Sequence, residues 1–148
     1  MIAELDRYHG IVLRQIVLAQ PGRVSLGLAD ISGRKDAFYL NDAAFQVKHS
    51  SKRLPPWQFT YGPDNLTELA ELGATCAPVW VFLVCGGDGV VGLSLEELQS
   101  IIKPGVGGVA WVRVSRGRNA MYRVCGAAGE LPRAKSRGVQ GFVSAATL

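Results

Sequence analysis

With 148 residues the chain is long enough for one domain with a real hydrophobic core, and its 48% hydrophobic content excludes a disordered composition. A formal net charge of +4 permits a nucleic acid or another anionic partner and demands neither. Three widely spaced cysteines, Cys76, Cys85 and Cys125, exclude a disulfide framework, and with only His9 and His49 beside them they argue against a cysteine–histidine metal site.

Reduced thiols fit a cytoplasmic protein. The N-terminus places acidic residues ahead of its apolar part and does not read as a signal peptide. No apolar run is long enough to span a bilayer, so no membrane association is expected.

Tyr8 to Ala19 reads as a helix, with Ile11, Ile16 and Ala19 on a broad apolar face. Its β-branched residues leave a strand as the alternative. Val24 to Ile31 alternates and reads as a strand, and Ser32 to Asp36 as a charged turn. Ala37–Leu40 and Ala43–His49 form two strands joined through Asn41-Asp42, with Phe45 and Val47 on one face and Gln46 and Lys48 on the other. Pro55-Pro56 breaks the chain before an alternating strand, Trp57–Tyr61, whose Trp57 and Phe59 read as core.

Asn65 and Glu68 have the spacing of a capping box, and Leu66, Leu69 and Leu72 supply an apolar side, so a helix follows and ends at Gly73. Val79–Cys85 is the most hydrophobic run. With the turn Gly86-Gly87-Asp88-Gly89 and Val90–Leu93 it reads as a hairpin. Ser94 to Glu97 caps a further helix. Val109–Ser115 and Ala120–Cys125 form a second hairpin, in which Arg113 and Arg123 are expected to face one another. The expected fold is α+β: a mostly antiparallel mixed sheet of six to eight strands carrying about three helices. A single domain spans residues 1–126, and residues 127–148 are expected as a C-terminal arm, partly disordered or packed on the surface. An edge strand leaves a homodimer open.

One strand carries the chemistry. Gln46-Val47-Lys48 follows a shorter strand preceded by Asp36, and this layout resembles the core of the PD-(D/E)XK nuclease superfamily. There a strand bears a carboxylate and the next bears Glu-x-Lys or Gln-x-Lys. The resemblance implies a restriction-endonuclease-like core over roughly residues 1–90, with Asp36, Gln46 and Lys48 catalytic and Asp36 and Gln46 as metal ligands. Asp30 and Asp42 are substitutes for the aspartate, and Glu4 matches an additional helical acid of some members. The cofactor would be Mg2+, a hard cation that takes oxygen ligands and activates water against a phosphodiester. Lys48 would orient that water or offset the developing charge. The wording FQVKHSSKRLPPWQFTY followed by VFLVCGGDGVVGLS also resembles a bacterial family to which no activity attaches.

Basic side chains suited to phosphates gather as His49, Lys52 and Arg53, and again as Arg113, Arg116, Arg118 and Arg123. DNA or RNA is the partner these imply. The alternative stays open that Gln46 and Lys48 are the solvent face of an amphipathic strand in a non-enzymatic interaction domain. The Gly86–Gly89 segment lacks the lysine and hydroxyl residue of a phosphate loop and reads as a tight turn.

Overall fold

The computed structural model describes residues 1–31 and 33–147. The fold is α+β, with nine strands in two sheets and four helices among the described residues. Helix α1, Glu4–Leu18, buries Tyr8, His9, Val12 and Ile16, the spacing of one helical face. It starts earlier than the apolar periodicity predicted, because Glu4 and Asp6 suit the positive end of the helix dipole.

Strands β1 (Leu26–Leu28), β2 (Ala37–Leu40), β3 (Ala43–Ser50), β5 (Val79–Cys85) and β6 (Gly89–Ser94) form the first sheet, in the order β1-β2-β3-β5-β6. The β2–β3 hairpin closes at Leu40 opposite Ala43, with Asn41 at φ 52°, a left-handed position that asparagine tolerates. β1 is shorter than its alternating pattern predicted. Only Leu26 to Leu28 pair with β2, all three exposed on the sheet edge.

β3 and β5 run parallel, from Ala44 opposite Val79 to Ser50 opposite Cys85. Such a pair needs a crossover. Here the connection contains β4 (Trp57–Tyr61) and α2 (Pro63–Thr75). β4 leaves the first sheet and joins β7 (Ala110–Ser115), β8 (Arg123–Gly126) and β9 (Gly129–Glu130) in a second, antiparallel sheet. The expected single sheet is therefore two, because the Pro55-Pro56 break lets Trp57 pair with Val114 instead of with β3.

The first sheet is covered on both faces. One face packs Phe45, Val47, Phe82 and Val84 against Val12 and Ile16 of α1 and against Phe142 of α4 (Gln140–Ala146). The other packs Ala44, Val81 and Leu83 against α2, α3 (Leu95–Ile101) and the second sheet, including Trp57, Phe59, Val112 and Val114. Phe45 and Trp57 are thus core residues of different layers. β3 is sandwiched, and Gln46 is fully buried rather than on a solvent face.

α2 begins at Pro63, so Asn65 lies inside its first turn and accepts a hydrogen bond from the Gly62 N–H at 3.0 Å. Gly73 does not end the helix. A Cβ there would stand 3.2 Å from Leu95 Cδ2, so the glycine marks where α2 meets α3. The Ser94 cap of α3 forms as expected, with Ser94 Oγ accepting from the Glu97 N–H at 3.1 Å. The stretch expected as an arm carries β9 and α4: Tyr122 and Lys135 exchange backbone hydrogen bonds, and Phe142 is wholly buried among Phe45, Phe82 and Trp80. Leu148 and Ser32 lie outside the described residues. Among those described, no helix is long and apolar enough to cross a membrane.

Candidate functional site

Gln46 stands in the middle of β3, opposite Ala37 and Val81. Period-two alternation turns it, with Lys48, toward α2 and β4. From α2, Glu68 points inward on the same stripe as Asn65, Leu69 and Leu72, and it is only 2% exposed. The Gln46 Nε2–H donates to Glu68 Oε1 at 2.7 Å. Asp36 is fixed beside them because its carbonyl accepts the Val47 N–H at 2.9 Å. Arg34 lies over the pair of acids: its Nη2 donates to Asp36 Oδ2 at 3.1 Å, and its Nε is 3.8 Å from Glu68 Oε2.

Burial pushes the Glu68 carboxyl up, to about 7; the hydrogen bond from Gln46 opposes that shift, and the neighbouring Asp36 carboxyl adds to it. Lys48 completes the group. Its Nζ donates to the Thr60 carbonyl of β4 and to Asn65 Oδ1 at 3.0 Å, and lies 4.9 Å from the centre of the Tyr61 ring. Burial pulls its pKa down from the ordinary lysine value, and Asp36 partly restores it.

Six buried polar atoms of this cluster lack a hydrogen-bond partner: Asp36 Oδ1, Gln46 Oε1, Glu68 Oε2, the Tyr61 hydroxyl, Asn65 Nδ2 and Arg34 Nε. An unpaired buried polar atom costs roughly 1–3 kcal/mol, so their concentration in one place calls for a reason. A cavity of about 220 Å³ reaches Arg34 and Glu68, rimmed by Asp64, Thr67 and Glu71. Two carboxylates and an amide oxygen are hard donors of the kind Mg2+ takes. Among the described residues, no three histidine, cysteine, aspartate or glutamate side chains gather as a metal cluster.

Asp36 and Gln46 thus both reach Glu68, one through Arg34 and the other by its own amide, while Lys48 is anchored beyond them to Thr60 and Asn65. Glu4 does not join them: it lies 3.7 Å from His49 Nε2, and that imidazole stacks on Tyr8 at 4.5 Å on the α1 face of the sheet. His49 is accordingly separated from the other basic candidates. Arg113 and Arg123 do not face one another, because the register sets Arg113 against Cys125 and Arg123 against Ser115. Arg113 instead bonds Gln58 and lies over Trp111, and Arg123 pairs with Glu130 at 3.4 Å.

Lys52, Arg53, Arg116 and Arg118 gather at the other end of β4. Trp57 Nε1–H donates to the Lys52 carbonyl at 2.8 Å, and Arg53, Arg116 and Arg118 line one pocket over Trp57. Asp88, in the β5–β6 turn, accepts two hydrogen bonds from Arg116 and one from the Tyr122 hydroxyl at 2.6 Å. The Arg116 guanidinium holds the Asp88 carboxyl well below the usual carboxylate range.

No family model, curated protein or solved structure matches this chain.

Glu68 is the functional candidate that sequence reasoning missed. Its spacing from Asn65 suggests a capping partner. The legible signal was that it shares its helical stripe with Leu69 and Leu72, where a carboxylate has to be buried. Arg34 and Asp88 carried no such signal, since turns are where exposed charges normally occur.

Proposed function

We propose that Asp36, Gln46, Lys48 and Glu68 form the divalent-cation site of a nucleic-acid phosphodiesterase resembling the PD-(D/E)XK pattern, with Glu68 of α2 as the second carboxylate. The observation that supports this reading is that three buried oxygens, Asp36 Oδ1, Gln46 Oε1 and Glu68 Oε2, accept no hydrogen bond, on side chains linked by the Gln46–Glu68 hydrogen bond and by Arg34. Mg2+ would suit that donor set, and Asp36, Glu68 and the Gln46 amide oxygen would hold it. When bound it supplies Lewis-acid polarisation of a phosphoryl oxygen and lowers the pKa of a coordinated water.

The chain's own groups do the rest. Lys48 spends two of its three N–H donors on Thr60 and Asn65, which fixes its ammonium and leaves one donor for a phosphoryl oxygen. Arg34 offsets the paired carboxylates and can turn a planar guanidinium toward an incoming phosphate. The buried Tyr61 and Leu69 limit water around the group.

Cleavage of end-labelled DNA and RNA with Mg2+ or Mn2+ tests the reading. The expected result is metal-dependent cleavage by the wild type and a loss of at least roughly 100-fold in both Lys48→Ala and Glu68→Gln, the scale of removing an electrostatic catalytic group. Cleavage by the variants at the wild-type rate would overturn it. The Arg34–Asp36 ion pair favours a second reading, a non-enzymatic interaction domain in which the cluster is a self-neutralised structural network. That reading expects no cleavage, and no heat of Mg2+ binding in calorimetry.

A further inference from the structure

We infer that the pocket formed by Arg53, Arg116 and Arg118 over Trp57 is a phosphate-binding site for a nucleic-acid strand. Arg53 and Arg118 are exposed, and neither has an acidic partner or a side-chain hydrogen bond among the described residues. Arg113 and Arg123, by contrast, are both engaged on the outer face of the second sheet. Like charges brought to one concave surface repel unless an anion sits between them.

The acid present is already committed. Asp88 accepts from both Arg116 nitrogens and from Tyr122, and Arg137 Nη2 approaches it at 3.5 Å. One carboxylate thus orients Arg116 without neutralising Arg53 and Arg118. The backbone beneath is tight: a Cβ on Gly86 would stand 2.3 Å from the Lys52 carbonyl oxygen, so the β5–β6 turn and the Lys52–Arg53 segment are in direct contact. That contact, with Asp88 of the same turn holding Arg116, brings arginines from two separate loops to one place.

A shallow pocket of about 190 Å³ admits a phosphate group and not a nucleotide buried whole. Guanidiniums pair with phosphate oxygens through parallel N–H donors. A linear polyanion, rather than a lone ion, fits because the pocket lies at the Trp57 end of β4 while Lys48 packs at the Tyr61 end. Four residues of strand separate the two ends by roughly 13 Å, a span of a few nucleotides. The inference rests on the phosphodiesterase reading for its choice of ligand, and its test does not depend on catalysis.

The test is fluorescence anisotropy of a labelled single-stranded oligonucleotide against the full chain in EDTA, over a salt series. The Arg53→Ala/Arg118→Ala double variant should bind at least about tenfold more weakly, with its log affinity falling less steeply with log salt, by one to two phosphate contacts. The Arg113→Ala/Arg123→Ala double variant should bind as the wild type does. Equal affinity and slope in the first variant would overturn the inference, as would equal losses in both. Wild-type sedimentation with anionic phosphatidylglycerol vesicles in place of oligonucleotide binding would overturn it as well. Both arginines of the first variant are exposed, and a matching thermal midpoint checks that it folds. Tight binding by Glu68→Gln without cleavage leaves this inference standing while testing the other alone.

Discussion

Replacing Glu68 with glutamine is expected to change how stability depends on pH, and the size follows from the burial of that carboxyl. Moving it from its ordinary 4.5 to about 7 corresponds to about 3 kcal/mol. Between those values the folded chain keeps a proton that the unfolded chain gives up, so wild-type stability falls as pH rises through the window and levels off above about 7. Glu68→Gln keeps an acceptor for the Gln46 amide and has nothing to ionise there. The variant should therefore match the wild type near pH 4 and exceed it by up to about 3 kcal/mol at pH 8, a large share of a typical domain stability of roughly 5–15 kcal/mol. Urea denaturation in EDTA at pH steps from 4 to 8 measures the difference. Curves that stay parallel across the window would refute the burial argument. Mg2+ at pH 8 should stabilise the wild type and leave the variant unmoved, by the usual linkage of ligand binding to folding.

Three further outcomes are expected. Phe142→Ala should cost about 3–5 kcal/mol in thermal or urea unfolding, because its buried ring packs on Phe45, Trp80 and Phe82 of the first sheet; an unchanged midpoint would mean that α4 is not part of the core. Gly86→Ala should cost roughly 2–4 kcal/mol, since a Cβ meets the Lys52 carbonyl at 2.3 Å and the residue sits at φ 54°, and the urea midpoint reads it directly. Asp88→Asn should flatten the acid limb of the stability profile. The depressed carboxyl of Asp88 stabilises the fold above the ordinary carboxylate range and loses that contribution progressively as pH falls through the acid range, so the gap between wild type and variant should narrow steadily in urea melts taken at falling pH.

Local patterns in the chain resolved most of the elements. The alternation in Trp57–Tyr61, the asparagine turn between β2 and β3, and the Ser94 cap each depend on neighbouring residues, and each appears as read. The partnering of strands depends on distant ones. Nothing near Trp57 states that it will pair with Val114, so two sheets read as one. The tail misled for a related reason: Phe142 and Val143 are isolated apolar residues whose value lies entirely in the aromatic layer they complete. At the candidate site, the β2–β3 hairpin gave Asp36, Gln46 and Lys48 because they are close in sequence. Glu68 reached them only through the crossover, and its match to a capping pattern concealed its inward direction.

That crossover has a consequence for when the cluster exists at all. The hairpin contributes one acid, α2 the other, and β4 the carbonyl that anchors Lys48. All of these residues lie between Arg34 and Glu68, yet β3 is flanked by β5 and β4 by β7, both of which lie outside that segment. A growing polypeptide would carry Asp36 and Gln46 on an isolated hairpin, solvated and far from any second carboxylate. Only docking of β4 onto β7, late in the chain, settles the strand that steadies Lys48. The geometry of the cluster is therefore set by strands that contribute none of its residues.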